Sequence, residues 1–528
     1  MISESIKSAL EESAAELCLG RRVLFKEDDL SVFLAYYIEE LLLHGIIKDP
    51  SEFIHTGDKR LIELLENNSI FQHGLDGFAL HDLLDNEYYM EKVVRLAYNK
   101  RLAGRDSPSL RISPNKMDSA QFSEAINLGL IFGSEPFSFQ DTLHCWHIDE
   151  AKSFTSNNTS FHPVNVMGVH YEWLTGDLKA SRALIVDEGS LVKEVDFNDP
   201  AGLDVVHITE LPLAGERSLH QKLSRAFSER NIAQIDPYPP SVCADDKFCA
   251  YKKLISRGIN TPHAFLLPRN KSYSDYKKFM ERIWEEIKQT YGNNPITLFV
   301  QPDHGTEGRM VEAFDLCENC DGESLLRHIT KTGERDEALL RVKKGNVRYC
   351  KEKDKGYRNI VFRINVAWNG IRYIAQSGFA QVAPHENNPV ASRGRGGSII
   401  DIHEALENIF FMNKDSKSWG KVFVKKMDVD EMKHAAEQAA GALDEEFADD
   451  DKLKLLGVDV LLEYKDEHII PCILEINPRL AGLNHSASID NQEYYVSRDI
   501  FDYLREIKKT GEHRSGKLVA SGEGVTEK

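Results

Sequence analysis

The chain has 528 residues, too many for one hydrophobic core, so we expect about two to four domains. Its 41% apolar and 28% charged residues are typical of a globular protein, and the net charge of −19 argues against binding to nucleic acids or anionic membranes. The first residues lack the pattern of a signal peptide, and the 8 scattered cysteines predict reduced thiols in the cytoplasm.

Residues 1–135 are predicted to form a mostly helical accessory region. Apolar positions recur at helical spacing over 32–47, and further helices are expected at 59–66, 88–102 and 119–128. The region contains no catalytic motif, so we interpret it as an accessory or dimerisation domain, with a substrate-specific cap as the alternative. A homodimer is the expected oligomer, because dimers are the commonest assembly.

Residues 136–240 predict a small α/β domain. Strand patterns at 183–187 and 205–211 precede a helix pattern at 218–230. The proline-rich segment at 237–240 is interpreted as a stiff boundary.

Residues 241–508 mix strand and helix patterns, which predicts an α/β (α+β) fold. One helix is expected to begin at Asp245-Asp246-Lys247 and to end before Gly258. Other patterns predict helices at 274–291, 403–412 and 431–447, and strands at 296–301, 310–314, 338–342, 359–368 and 371–382. The last residues, 509–528, are predicted to be a disordered tail.

A strand hairpin is predicted near the end of this region. Two runs rich in β-branched residues, 456–462 and 469–476, are joined by a charged turn. Glu475 and Asn477 lie two apart on the second strand and therefore share a face. If Asp459 faces them from the paired strand, three oxygen ligands converge in a way that suits Mg²⁺ bound with substrate phosphates. Isolated acids on strands are commonly solvated surface residues, so the assignment also depends on the residues that follow.

The run Glu475-Ile-Asn-Pro-Arg479 resembles a motif of the ATP-grasp family. The resemblance implies that Asp459, Glu475 and Asn477 hold Mg²⁺, with Mn²⁺ as an alternative, against the phosphates of ATP. Arg479 matches a position that often binds the substrate or stabilises the transferred phosphoryl group.

The resemblance covers about residues 241–505 and implies an ATP-grasp fold. Its two lobes would be 241–335 and 336–508, with residues 136–240 as the α/β domain that commonly precedes them.

Phosphate-binding residues are implied by two further segments. Lys247, near a helix N-terminus that itself favours anions, matches the family lysine that contacts the phosphates. A loop between two strands resembles the family's flexible glycine-rich loop, whose backbone N–H groups approach phosphate oxygens. Its residues are Gly305, Thr306, Glu307 and Gly308.

One position departs from the family. A second lysine usually stands before the glycine-rich loop, where this chain has Gln301, which donates hydrogen bonds but carries no charge. Either nucleotide binding is weaker or another cation substitutes, and Arg309, Arg393 and Arg395 are the candidates.

Further arginines are implied at the reacting groups. Arg363 is similar to a charged residue on a family strand that faces the active site, and Arg395 lies in a loop that resembles the family's Gly-Gly segment. Arginine can clamp a phosphoryl or carboxylate group bidentately, although a flexible basic loop is an equal alternative. On the expected adenine-binding strand, Arg341 stands where the family has Glu, and the adenine contacts are left open.

The predicted activity is that of an ATP-dependent carboxylate–amine ligase. A substrate carboxylate would attack the γ-phosphate to give an acyl phosphate, and an amine would then form the amide. Small amino-acid-like substrates are favoured over a protein target. The alternatives are a nucleotide-binding regulatory protein without ligase activity, and a phosphotransferase of the same fold.

Overall fold

The computed structural model describes residues 115–122, 125–132, 164–186, 192–209, 214–292, 296–304, 310–316, 322–351, 356–392, 396–413, 418–479, 482–490, 496, 498–500 and 502–503. The helices predicted before residue 115 and the tail at 509–528 lie outside these ranges. The chain divides into two compact units, one of Met1–Ser156 with Asn165–Leu203 and one of Asn157–Val164 with Asp204–Lys528. The predicted domain boundaries near residues 135 and 240 stay predictions.

The described part of the first unit is built on a sheet. Its strands, in chain order, are β1 Asn115–Met117, β2 Ile126–Phe132, β3 Val164–His170, β4 Ala180–Val186 and β5 Val192–Ala201. They lie in the order β1-β5-β4-β3-β2, with β1 parallel to β5 and the β5–β4 and β4–β3 pairs antiparallel.

The helix predicted over 119–128 is wrong. Only Ser119–Phe122 turn, as a short 3₁₀ helix, and Ile126–Phe132 form β2, in which every residue is buried. A short apolar run that is buried on both faces cannot be told from a helix by periodicity alone. The buried Asn127 is satisfied by the Gly202 carbonyl at 2.8 Å and by Asn165 at 2.8 Å.

The second unit begins with a β-α-β segment and two short helices. Its elements are β6 Val205–Ile208, α1 Ala214–Glu229, β7 Ala233–Gln234, α2 Tyr238–Asp245 and α3 Lys247–Ser256. Pro237 is the N-cap residue of α2, and the two prolines that follow lie in its first turn, where no N–H partner is lost. The helix predicted from Lys247 is confirmed, and Gly258 follows it with a φ of 68°.

A four-stranded antiparallel sheet with two helices follows. Its elements are β8 Ala264–Leu267, α4 Tyr273–Tyr291, β9 Ile296–Pro302, β10 Glu312–Leu316, α5 Gly322–Arg335 and β11 Ala338–Val342. The strands lie in the order β10-β9-β11-β8. The predicted helix and strands in this part are confirmed, except that β10 begins two residues later than predicted.

The remaining chain forms a larger sheet and a three-stranded one. The elements are β12 Val347–Tyr349, β13 Ile360–Trp368, β14 Tyr373–Val382, β15 Ser398–Asp401, α6 Ile402–Glu407, β16 Ile409–Asn413, β17 Ser418–Lys421, α7 Lys426–Asp444, β18 Leu455–Lys465, β19 His468–Asn477 and β20 Ala487–Ser488. The larger sheet has the order β15-β14-β13-β18-β19, with β20 beside β14, and the small one has the order β12-β16-β17.

The hairpin predicted at the end of the chain is confirmed as β18 and β19. Its two turn residues, Asp466 and Glu467, have φ values of 51° and 61°. Positive φ at both central residues gives a turn whose twist matches that of the flanking strands.

The core of the larger sheet lies between its strands and helix α7. Met432, Ala436 and Leu443 of the helix are buried in one cluster with Phe362 and Val458 of the strands. Small alanines on the helix allow it to approach the sheet closely. The mixed α/β class predicted from the sequence is therefore confirmed.

Two other predictions differ from the structure. The helix predicted at 403–412 ends at Glu407, and the aromatic, β-branched run Ile409–Asn413 forms β16. Cys243 and Cys249 form a disulfide, although reduced thiols were predicted. Among the described residues, no helix is long and apolar enough to cross a membrane.

The close packing of the sheet that contains β18 and β19 can be tested at Gly378. A Cβ atom at Gly378 in β14 would lie 2.6 Å from the backbone oxygen of Arg363, so we expect Gly378→Ala to lower the free energy of unfolding by about 1–3 kcal/mol. The control is Gly441→Ala in α7, where the nearest atom outside the helix backbone lies at 3.9 Å. That substitution should be neutral or should stabilise by up to about 1 kcal/mol. Urea unfolding measures both, and a Gly378→Ala protein as stable as the wild type would contradict this packing.

Candidate active site

Three oxygen-bearing side chains meet on one face of the β18–β19 hairpin. Asp459 lies directly opposite Glu475, and Asn477 lies opposite Gly457 on the paired strand. The Asn477 amide donates to Asp459 Oδ2 at 3.3 Å. Asp459 is buried while Glu475 and Asn477 are half-buried, so part of the trio stays accessible.

A β-bulge sets the face on which Glu475 lies. Val460 pairs with Ile473 while Asp459 pairs with Glu475, so Leu474 is an extra residue on the second strand. Ile473 and Ile476 both belong to the core, which leaves Glu475 on the opposite face. If the same residues formed a regular strand without the bulge, strict alternation would place Glu475 on the core face with Ile473.

The donor set fits a divalent cation that arrives with a polyphosphate. Mg²⁺ is usually held by one or two carboxylates and takes its other ligands from water and substrate phosphates. Asp459 and Glu475 supply two carboxylates and Asn477 an amide oxygen, whereas the described residues contain no group of three or more His, Cys, Asp or Glu that could hold a metal ion alone. The role of these three residues as metal ligands stays a prediction.

Arg363 contacts Asp459 of the trio directly. It lies opposite Asp459 on the neighbouring strand β13, and its Nε and Nη2 atoms donate to the two carboxylate oxygens at 2.8 and 2.7 Å. Burial raises the pKa of Asp459, and Arg363 lowers it. The predicted catalytic arginine therefore lies at the site, where it holds Asp459 in place.

Lys247, the first residue of α3, links that helix to the hairpin. Its side chain is only 5% exposed, and Nζ lies 3.6 Å from Glu475 Oε1 and donates to the Asp303 carbonyl at 3.1 Å. The Asp303 carboxylate accepts from the Phe248 backbone N–H at 2.8 Å and thereby satisfies the N-terminus of α3. The ammonium group of Lys247 therefore lies between Asp303, which follows β9, and Glu475, a predicted metal ligand.

His304 forms a charged cluster at the end of β9. Its Nε2 atom lies 2.6 Å from Asp246, its Nδ1 atom lies 2.9 Å from Asp336, and Arg217 donates to Asp246 at 2.6 Å. Burial lowers the pKa of His304, but the two carboxylates outweigh burial and raise that pKa from 6.5 to about 9. This cluster anchors the residue that immediately precedes the predicted glycine-rich loop.

Arg479 is held at two points. Its side chain forms a buried ion pair with Asp245, and its carbonyl accepts from His207 Nε2 at 2.9 Å. His207 Nδ1 lies 3.6 Å from Asp236, where burial lowers the pKa of His207 to about 4 and raises that of Asp236 to about 8. Asp245 occupies one side of the Arg479 guanidinium. The contact of Arg479 with the substrate stays a prediction.

Gln301 is the next-to-last residue of β9, and Arg341 lies on the adjacent strand β11. Arg341 lines a small cavity together with Lys247, Glu475 and Tyr251. Arg341, to which the sequence assigned no role, therefore lies beside two predicted site residues, Lys247 and Glu475.

Several predicted site residues lie outside the described residues. They are Gly305, Thr306, Glu307, Gly308, Arg309 and Arg395, together with the alternative cation Arg393.

Sequence reasoning missed Asp303, His304 and Asp336 as parts of the site. Asp303 and His304 stand directly before the predicted loop, and that position was the only signal available. Asp336 follows α5, and nothing in the sequence pattern connects it to His304.

The comparisons with known proteins find structural likenesses at low sequence identity. No family model matches the chain, and no curated protein matches it. Solved structures similar to it include a D-alanine–D-alanine ligase from Coxiella burnetii, with 12% identity, 76% of this chain and 99% of that chain covered and a TM-score of 0.43. A D-alanyl-alanine synthetase A from Vibrio cholerae has 10% identity, 72% and 98% coverage and a TM-score of 0.44. Both TM-scores are below 0.5.

The His304 cluster predicts a pH-dependent stability. Because its folded pKa is raised to about 9, its contribution is complete below about pH 6.5 and is lost as the pH rises through 9. We expect His304→Gln to lower the free energy of unfolding at pH 6 by an amount on the order of 3 kcal/mol, and to change it little at pH 10. The difference between wild type and variant in urea unfolding, taken across this range, measures the effect.

The control for this experiment is His434→Gln, because the His434 side chain is 68% exposed on α7. That difference should stay near zero throughout. A His304→Gln difference that is independent of pH would show that the histidine is not held as a cation.

Proposed function

We propose that this protein is an ATP-dependent carboxylate–amine ligase of the ATP-grasp type. The observation that carries the proposal is the convergence of Asp459, Glu475 and Asn477 on one face, with Lys247 3.6 Å from Glu475. Alternating cations and carboxylates of this kind suit a site that binds a metal–polyphosphate complex.

Different residues are proposed to bind the metal ion, the phosphates and the substrate carboxylate. Asp459, Glu475 and Asn477 would hold Mg²⁺, or Mn²⁺ in its place, and the bound ion would neutralise charge on the phosphates. Lys247 donates to phosphate oxygens, and Arg363 keeps the Asp459 carboxylate oriented toward the site. Arg479 and Arg395 are proposed to orient the substrate carboxylate.

The proposed reaction needs no nucleophilic side chain. An oxygen of the substrate carboxylate attacks the γ-phosphorus, the bond to ADP breaks, and an acyl phosphate forms. The nitrogen of an amine then attacks the acyl carbon, phosphate leaves with the bonding electrons, and the nitrogen releases its proton to solvent. The contribution of the protein is positioning and electrostatic stabilisation.

Two alternative functions would use the same site. The ATP-grasp family, which the chain resembles, usually has a phosphate-binding lysine at the position of Gln301. The uncharged glutamine favours a nucleotide-binding regulatory protein without ligase activity. A phosphotransferase would stop at a phosphorylated product.

The activity is tested by incubating the purified protein with ATP, Mg²⁺ and pools of amino acids. We expect release of ADP that depends on both a carboxylate and an amine, and a new amide in the mass spectrum. Hydroxylamine should trap an acyl phosphate as a hydroxamate, which a phosphotransferase with an alcohol acceptor would not yield. Nucleotide binding without ADP release would support the regulatory alternative instead.

The metal assignment predicts the effect of one carboxylate. We expect Glu475→Gln to lower the rate of ADP formation by at least about 100-fold, because a charged ligand of the proposed metal ion is lost. Steady-state rates across a range of Mg²⁺ concentrations measure the effect, and circular dichroism checks the fold.

The hairpin offers a closely matched control in Glu463→Gln. Glu463 is 27% exposed and lies 3.6 Å from Lys344, while Glu475 is 28% exposed and lies 3.6 Å from Lys247. The control should keep nearly full activity. Near-normal turnover by Glu475→Gln would rule out the metal site.

A further inference from the structure

Arg341 and Gln301 lie on the same face of one sheet. In the antiparallel register of β9 and β11, Gln301 pairs with Leu339 and Arg341 with Phe299. Alternate residues of these strands, Val300 and Leu340 among them, belong to the core beneath helices α4 and α5. Gln301 and Arg341 therefore point away from that core, as diagonal neighbours on the opposite face.

Arg341 is buried without a partner. Its exposure is 6%, yet among the described residues its guanidinium makes no hydrogen bond and no ion pair within 4.0 Å. Burial lowers the pKa of Arg341, while Glu475 and Asp303 lie close enough to raise it. Arginine keeps its charge in proteins, so a cation with several free donors lies inside the fold.

The free donors line a cavity at the proposed site. Arg341 shares this cavity with Lys247, Thr261 and Glu475. The cavity measures about 10 Å³, which is room for one water molecule or one oxygen atom of a ligand. A buried cation that lacks a partner is costly, and the cost is offset when an anionic oxygen accepts its hydrogen bonds.

Glu475 does not serve as that partner. It lies 3.6 Å from Lys247 and, in the proposed function, it is committed to the metal ion. Asp303 is committed as well, because its carboxylate accepts from the Phe248 backbone.

We propose that Arg341 supplies the second phosphate-binding cation of the site, donating to a phosphate oxygen of the nucleotide in place of the charge that Gln301 lacks. The proposal deepens the proposed function and rests on nucleotide binding at this site. It differs from the substitutes expected from the sequence, Arg309, Arg393 and Arg395, since it draws the charge from a neighbouring strand.

The test is a charge-rescue experiment on nucleotide binding. Isothermal titration calorimetry with Mg²⁺ and an ATP analogue that carries an imido bridge between the β- and γ-phosphates gives the Kd. We expect Arg341→Met to raise the Kd by about 10- to 100-fold, as for the loss of a charged hydrogen bond. Adding Gln301→Lys to that variant should restore most of the affinity, because a cation returns to the same face.

Two further variants distinguish the loss of a phosphate contact from a general disturbance of the structure. Arg348→Met removes a half-buried arginine, one whose Nη1 atom already donates to the Val347 carbonyl at 2.8 Å, and it should leave the Kd unchanged. Arg341→Lys keeps the charge but loses the bidentate fork, so its Kd should be intermediate. If Arg341→Met does not fold, the Arg341→Lys protein, with and without Gln301→Lys, takes its place.

The outcomes separate this inference from the proposed function. Unchanged affinity in Arg341→Met, or a loss that Gln301→Lys does not relieve, overturns the inference while ligase activity can stand. Weakened binding with rescue supports the inference even if no amide product is found. Absence of nucleotide binding in the wild type overturns both.

Discussion

The site depends on the β-bulge at Leu474. One extra residue between two core isoleucines turns Glu475 from the core to the opposite face, where it meets Asp459. Strand alternation has a period of two residues, so no gradual distortion could achieve this reversal. Bulges commonly redirect a side chain next to a functional site, and here the bulge also preserves the burial of Ile473 and Ile476 on the other face.

A second constraint is the junction between helices α2 and α3, where three consecutive charged residues contact three different parts of the unit. Asp245 pairs with Arg479, Asp246 with Arg217 and His304, and Lys247 with Glu475. Because a buried charge without a partner is costly, each contact also fixes the position of its partner. The disulfide between Cys243 and Cys249 spans this same segment.

The elements that could be predicted from the sequence are those defined by local patterns. The hairpin was predictable from its β-branched runs and turn, and the helix at Lys247 from its flanking Asp246 and Gly258. Segment 119–128 was not, since a short buried strand has no helical or alternating period to distinguish it.

Contacts between distant residues were also beyond local patterns. His304 and Asp336 are 32 positions apart, and Arg363 and Asp459 are 96 apart. Only the fold brings them together, so the sequence could identify Arg363 as a charged strand residue but not its partner. The bulge at Leu474 is likewise a property of the pairing of two strands rather than of either strand alone.

Gln301 and Arg341 differ in hydrogen bonding as well as in charge. Arginine has N–H donors and no acceptor, so Arg341 can meet only groups that accept hydrogen bonds. A glutamate at the same place would accept from an amino group and repel a phosphate. Gln301, which both donates and accepts, is then left as the adaptable neighbour on that face. The face therefore presents the N–H donors of an arginine on β11, a strand that is paired with an antiparallel neighbour on each side.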